Sequence, residues 1–258
     1  MCRVPSGQFK KNTIRNYEYI LCRFSDQFAE RELGSITPDE ILLFLTRITE
    51  GSKQATKRVR YSLLKAFFNF VINTVDSNLQ NPCNTPILRK IFKAPKPVQW
   101  SILEKEAVDE IIFRQVDIRD RIILELMAHG GMRVSEVLKL RPRDIDDRKL
   151  TLIDPKSGKE VETVCIPQKL AGRLKEYVRI EKIGLDDRIF PLCYASVRII
   201  VKKAGKLIGL NLKTHDLRRH SATFASRSGI PIEIISKIIL RHANLSTTKP
   251  NNCIPSKL

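Results

Sequence analysis

Apolar residues recur mostly at helical spacing along the chain, and this pattern predicts a series of helices joined by short polar turns. In the first third of the sequence it favours helices over residues 12–30 and 53–74. Between them, Thr37 is expected to cap a helix that begins at Pro38, with Glu40 as the reciprocal capping partner. The N-terminal third is therefore predicted to be wholly helical.

The helix at 53–74 combines an apolar stripe with many basic residues. The stripe predicted to face the core consists of Val59, Leu63, Ala66, Phe67, Phe70 and Val71. The basic residues that lie largely off it are Lys53, Lys57, Arg58, Arg60 and Lys65. They indicate either a surface against a DNA backbone or an ordinary solvated face, and the helix alone favours neither.

A proline-rich segment divides the sequence in two. Pro95 and Pro97 exclude helix for the residues before them and favour an extended linker. We place this linker at 93–100, between an N-terminal helical domain at 8–92 and a second domain at 101–258.

The second domain is predicted to open with a capping box formed by Ser101 and Glu104. Its helices are expected at 102–115, 118–129, 168–181, 195–206, 215–227 and 231–240. Two β-rich runs, 149–153 and 161–166, predict an antiparallel hairpin with a basic turn. The fold class is therefore mainly α with a small antiparallel β-sheet, in two domains.

The net charge of the chain indicates what kind of partner it binds. The chain has 46 Lys and Arg against 28 Asp and Glu, a formal net charge of +18, which favours a nucleic acid as partner over a membrane. A merely soluble basic protein is the alternative. The apolar run 66–72 is too short to span a bilayer. Six scattered cysteines without a Cys-x-x-Cys pair, and no apolar leader at the N-terminus, favour a reduced, cytoplasmic protein.

Two segments carry residues suited to binding an anion. Gly130 and Gly131 allow a tight turn that places Arg133 at a helix start, where its planar fork can bind two phosphate oxygens. His215 and Arg218 are three residues apart and share one helix face, and Thr214 could cap that helix.

These segments, 131–136 and 213–248, resemble the two conserved boxes of the tyrosine recombinases, the phage integrase family. The resemblance implies that Arg133 and Arg218 neutralise a scissile DNA phosphate, that His215 assists proton transfer and that His242 donates a hydrogen bond. It also implies a general-acid lysine in the hairpin turn, where Lys156 is favoured over Lys159. Neither a metal nor a cofactor is expected.

The resemblance extends to the domains and the partners. It implies that 8–92 is a core-binding, SAM-like domain, that 101–258 is a catalytic-like domain, and that the two clamp double-stranded DNA. The expected protein partner is another copy of this chain on DNA or an intact recombinase.

The sequence departs from the family pattern at two positions. Arg241 stands where the family usually has glycine, which matters if that residue is left-handed. The nucleophilic tyrosine is expected nine residues after His242, where the chain has Asn251, and the last tyrosine is Tyr194. We therefore expect a C-terminally truncated or disrupted recombinase that is inactive alone. Two functions remain open: an enzyme that uses another subunit's tyrosine, and a non-catalytic DNA-binding remnant that competes with an intact recombinase.

Overall fold

The computed structural model describes residues 11–95, 102–153, 160–242 and 245, with the side chain of Lys11 excepted. The chain divides into two compact units, Met1–Lys96 and Pro97–Leu258. The predicted fold class, mainly α with one small antiparallel sheet, is confirmed.

The first unit consists of helices. They are α1 (Lys11–Phe28), a short 3-10 turn (Leu33–Ser35), α2 (Pro38–Ile48), α3 (Gln54–Thr74) and α4 (Pro86–Ile91). The predicted capping box of α2 is confirmed: the Thr37 hydroxyl accepts the Glu40 N–H at 3.3 Å, and the Glu40 carboxylate accepts the Thr37 N–H at 2.9 Å.

The core of the first unit is a cluster of aromatic rings. Phe24 of α1 makes edge contacts with Phe44 of α2, at 5.6 Å between centroids, and with Phe68 of α3, at 5.7 Å. On the same face of α3, two turns before Phe68, the buried Tyr61 hydroxyl donates to the Cys83 carbonyl at 2.9 Å. These contacts fix which side of α3 faces inward.

The predicted buried stripe of α3 is therefore wrong in part. The buried residues are Tyr61, Leu64, Phe68 and Val71, whereas Val59 is 46% exposed and Phe70 is 62% exposed. Both sets have helical spacing, so periodicity could not distinguish them. Two of the basic residues, Arg58 and Arg60, stack on Tyr61 and Tyr19 of the same unit, so neither is an ordinary solvated side chain.

The second unit contains the remaining elements. Its helices are α5 (Lys105–Phe113), α6 (Ile118–Ala128), α7 (Val134–Val137), α8 (Gln168–Ile180), α9 (Tyr194–Lys206), α10 (Thr214–Arg227) and α11 (Ile232–Ile234). Its sheet has the order β1 (Ile145–Asp146), β2 (Lys149–Ile153), β3 (Val161–Cys165), with antiparallel neighbours and Leu150 opposite Val164. The predicted hairpin is thereby confirmed, and its turn, with Lys156 and Lys159, lies outside the described residues.

Helix α6 is central to the core of the second unit. Every residue from Ile122 to Ala128 is buried, and the helix packs against α8 and α10. This run includes Glu125, whose carboxylate accepts two hydrogen bonds from Arg173 of α8 at 2.7 and 3.1 Å. A buried carboxylate requires such a partner.

Two predicted helix boundaries in this unit are wrong. Helix α5 begins at Lys105 with Glu104 as its N-cap, and the Glu104 carboxylate pairs with Arg227. The predicted capping box of Ser101 and Glu104 stays a prediction, because Ser101 lies outside the described residues. The helix predicted at 231–240 is α11 followed by a wide π turn over Ile235–Ile239. No helix of the described part of the chain is long and apolar enough to cross a membrane.

Candidate phosphate-binding site

The loop between α6 and α7 positions Arg133. Gly131 has φ +57°, and a Cβ there would lie 3.1 Å from both the Ile239 carbonyl and the Ser221 hydroxyl. Only glycine combines this left-handed conformation with such a close approach. Arg133 follows in extended conformation as the N-cap of α7, so its side chain starts at a helix N-terminus, where backbone N–H groups favour anions.

Helix α10 supplies the second pair of residues. It begins at Thr214 with Lys213 as the N-cap, so the predicted cap at Thr214 is wrong by one position. The reason is Asp216, whose carboxylate reaches back to accept the Lys213 N–H at 2.8 Å. One turn separates the exposed His215 from the buried Arg218.

The two segments meet at one pocket. It has a volume of about 100 Å³ and is lined by Met132, Arg133, Val134, Ser135, Tyr194, Thr214, His215 and Arg218. On the same measure a single water molecule needs about 10–15 Å³, so the pocket has room for a small oxyanion. Three of the five predicted site residues, Arg133, His215 and Arg218, therefore line the same space, while their roles stay predictions.

Backbone carbonyls hold both arginines in place. The guanidinium of Arg218, which is 5% exposed, donates to the carbonyls of Gly131 and Leu240. Arg133 donates to the carbonyls of Leu240 at 3.3 Å and of Arg241 at 3.4 Å. Both arginines are thus fixed by the turn at Leu240–Arg241, which orients their forks before any ligand binds.

Glu136 of α7 balances part of this positive charge. Its buried carboxylate accepts the Arg133 N–H at 2.8 Å, the Arg133 guanidinium at 2.5 Å and the Arg241 guanidinium at 2.8 Å. Burial alone would raise the pKa of Glu136, but the charge of Arg241 and the hydrogen bonds from Arg133 outweigh it and hold that pKa below its ordinary value. Glu136 therefore stays ionised at neutral pH.

His242 lies beside the same arginines at the end of the π turn, where its backbone N–H donates to the Ser236 carbonyl at 2.9 Å. Burial, together with the charges of Arg218, Arg133 and Arg241, lowers the pKa of His242 to about 4. The imidazole is therefore neutral at pH 7, and a neutral ring still carries one N–H donor. It is not among the pocket-lining residues found in the described part of the chain.

Sequence reasoning missed Tyr194 as a pocket residue. It is the first residue of α9, it is 46% exposed, and its hydroxyl lies 3.5 Å from that of Thr214. The helix was predicted from its apolar spacing, but nothing in that spacing indicates where an aromatic residue at its first turn will point. Ser135 was likewise within the first box but had no assigned role.

The remaining histidine near the site is structural. His220 is buried, and its Nδ1 lies 2.9 Å from the Leu103 carbonyl oxygen. Within the ranges that the structure describes, no group of three or more His, Cys, Asp or Glu residues could hold a metal ion. What these ranges do offer is a pocket lined by two arginines that backbone carbonyls hold in place.

Comparison with known protein families matches nearly the whole chain. Residues 102–251 match the phage integrase family, and residues 7–74 match the phage integrase N-terminal SAM-like domain.

Two relatives are matched over most of their length. The chain is 32% identical over 251 residues to the tyrosine recombinase XerA of Pyrococcus horikoshii, covering 93% of this chain and 82% of that protein. It is 33% identical over 255 residues to XerA of Pyrococcus furiosus, with the same coverage of 93% and 82%.

Solved structures share the fold at lower identity. The Tn1549 transposon integrase in complex with transposon right end DNA aligns with a TM-score of 0.75 at 16% identity, covering 98% of this chain and 91% of that one. A lambda integrase dimer bound to a COC' core site aligns with a TM-score of 0.71 at 21% identity, covering 95% and 90%.

Proposed function

The chain belongs to the phage integrase family of tyrosine recombinases, and from this membership we propose that it is a site-specific recombination protein that binds double-stranded DNA. In this proposal a scissile phosphate occupies the pocket formed by Arg133, His215 and Arg218. The net charge of +18 supports a polyanionic partner, and the relatives with DNA-bound structures support duplex DNA as that partner.

The convergence of Arg133, His215 and Arg218 on one pocket carries the proposal. Catalysis of phosphoryl transfer depends mainly on positioning and on compensation of charge on the phosphate oxygens. Two guanidinium groups, each held by backbone carbonyls, supply that compensation without reorganisation. In this proposal His215, which is exposed at the first turn of α10, exchanges a proton with the bound phosphate.

The proposal includes a missing nucleophile. A tyrosine of this family attacks the phosphate, and the count from His242 places Asn251 at that position. A carboxamide is not a nucleophile toward phosphorus. Residues 246–258, with Asn251, lie outside the described residues, so the sequence alone supports this step.

The alternative that Asn251 favours is a non-catalytic DNA-binding protein. Such a protein would occupy recombination sites through its pocket and its basic surface, in competition with an intact recombinase. Assembly with an intact recombinase that supplies the tyrosine is the catalytic version of the same proposal. Both versions require DNA binding by this chain.

Duplex DNA binding tests the common part of both versions. Fluorescence anisotropy is measured with a labelled duplex for the wild type and for Arg133→Gln, which removes one phosphate fork but keeps a polar side chain. Arg179→Gln is the charge-matched control, because Arg179 is an exposed residue of α8 paired with Glu176. We expect on the order of tenfold weaker DNA binding for Arg133→Gln, because the variant loses one or two charge-assisted hydrogen bonds to the phosphate. Equal affinities for the two variants would contradict a phosphate at this pocket.

A further inference from the structure

Arg241 combines a left-handed backbone with a buried, charged side chain. Its φ is +46° and its side chain is 3% exposed. A residue with a side chain is strained in this conformation, and a buried guanidinium is costly unless it is well paired. Such a combination persists only where the surrounding contacts hold it in place.

The contacts of Arg241 reach four parts of the second unit. Its guanidinium donates to the Ile239 carbonyl at 2.8 Å, to the Glu136 carboxylate at 2.8 Å and to the Gly131 carbonyl at 3.2 Å. Its Nε lies 3.7 Å from the carboxylate of Glu162 on β3. One side chain therefore joins the π turn, the Gly131 loop, α7 and the sheet.

These contacts matter because the turn that contains Arg241 also holds the phosphate-binding arginines. The Leu240 carbonyl accepts hydrogen bonds from both Arg133 and Arg218. The Gly131 carbonyl is shared by Arg218 and Arg241. A displacement of this turn would move both guanidinium groups and His242 together.

We propose that Arg241 is a positioning residue of the phosphate pocket, which locks the Leu240–His242 turn against Glu136 and β3. The inference rests on the proposed function, since it concerns the same pocket. Arg241 does not line that pocket but acts through Arg133, Arg218 and His242. Its link to Glu162 also ties the turn to the strand that follows, in sequence, the segment with Lys156.

Inorganic phosphate is the probe that tests this role. The chain has four histidines, so their ring proton resonances can be resolved by NMR during a phosphate titration and a pH titration. The test variant is Arg241→Gly. The matched control is Lys182→Gly, because Lys182 is an exposed residue that is also left-handed, with φ +51°. Both changes remove one positive charge and relieve the same backbone strain.

For Arg241→Gly we expect on the order of tenfold weaker phosphate binding. We also expect a rise in the pKa of His242 from about 4, since one of the three arginines that face it is gone. Lys182→Gly should change neither quantity. Arg241→Lys keeps the charge but loses the fork, so the pKa of His242 should stay low while phosphate affinity falls part of the way.

The outcomes separate this inference from the proposed function. If wild-type chain binds phosphate but both Arg241 variants bind it within twofold of wild type, the positioning role is wrong and the pocket stands. If phosphate shifts no histidine resonance of the wild type, the pocket itself is wrong and this inference falls with it. Should Arg241→Gly fail to fold, Arg241→Lys decides: weaker phosphate binding at an unchanged melting temperature supports the role, and unchanged binding overturns it.

Discussion

At the residue scale, His242 makes the stability of the fold depend on pH. Burial and three arginines lower its pKa to about 4, against 6.5 for the unperturbed imidazole. The unfolded chain therefore binds a proton more readily than the folded one between these values, so protonation favours unfolding. The contribution of neutral His242 to the free energy of unfolding is complete above pH 6.5 and is lost as the pH falls toward 4.

We accordingly expect the melting temperature of wild type to fall more steeply between pH 6.5 and 4.5 than that of His242→Gln. The substitution keeps a neutral hydrogen-bonding side chain that does not titrate. Differential scanning calorimetry across this range measures the difference. Parallel curves for the two proteins would show that His242 is not the group responsible.

Tyr194 is the residue of the pocket whose contribution can be removed with least damage. Tyr194 lines the pocket, its hydroxyl lies 3.5 Å from that of Thr214, and nearly half of the residue is exposed. We expect Tyr194→Phe to weaken inorganic phosphate binding by roughly fivefold, the effect of one neutral hydrogen bond of about 1 kcal/mol, with little change in melting temperature. Tyr19→Phe, in the other unit, is the control. A loss of stability without a loss of affinity would mark Tyr194 as structural.

At the element scale, the loop between α6 and α7 depends on Gly131. We expect Gly131→Ala to lower the free energy of unfolding by roughly 1–2 kcal/mol because alanine is strained in the left-handed conformation. A further cost comes from shifting the Ile239 carbonyl oxygen, which would lie only 3.1 Å from the new methyl group. Because that movement displaces the neighbouring turn, phosphate binding should weaken as well.

Gly229→Ala is the control for that substitution. Gly229 has φ +83°, but a Cβ there would meet no atom within 4 Å. It should therefore show the backbone strain without the collision, and phosphate binding should be unchanged. Chemical denaturation and a phosphate titration measure the two effects. Equal behaviour of the two variants would contradict a steric role for the Gly131 loop.

Local chemistry was easier to predict from the sequence than the choice among equivalent helix faces. The Thr37 cap was predictable because a hydroxyl and a carboxylate three residues apart satisfy each other without tertiary contacts. The inward face of α3 was not, because apolar residues with helical spacing occur on more than one side and aromatic packing selects Phe68 over Phe70.

The candidate site shows the same division. The pairing of His215 with Arg218 on one helix follows from spacing alone. The family usually has glycine at position 241, which suggested that the backbone there could be left-handed, and Arg241 does have φ +46°. The π turn at 235–239 could not be foreseen, because its wide hydrogen bonds, such as Leu240 N–H to the Ile235 carbonyl at 2.8 Å, arise from docking of the turn onto neighbouring segments.

At the scale of the whole molecule, the net charge of +18 predicts how DNA binding responds to salt. Each neutralised phosphate releases counterions, so the logarithm of the affinity falls linearly with the logarithm of the salt concentration, with a slope of about −0.9 for each contact. We expect a loss on the order of 1,000-fold between about 50 and 200 mM salt. Titrations at matched osmolality with sucrose control for solvent effects. A flat response would contradict a basic DNA-binding surface.

The last prediction concerns chemistry at the phosphate. We expect the purified chain to bind a nicked duplex but to form no covalent adduct with it, because the proposed function assigns Asn251 to the position of the attacking tyrosine. Hydroxyls are present at Ser246, Thr247 and Thr248, but an unactivated alcohol is a weak nucleophile, and a misplacement of about 1 Å costs on the order of 100-fold.

Denaturing gels of the chain with a labelled, nicked suicide duplex test this expectation, with XerA of Pyrococcus horikoshii on its own substrate as the positive control. Asn251→Tyr alone should recover little adduct, because Pro250 fixes the backbone immediately before the new side chain. Replacement of 249–258 by the corresponding segment of that relative, with its tyrosine, should restore the adduct, since Arg133, His215 and Arg218 are already in place. An adduct formed by the unmodified chain would show that a nucleophile other than residue 251 serves the pocket.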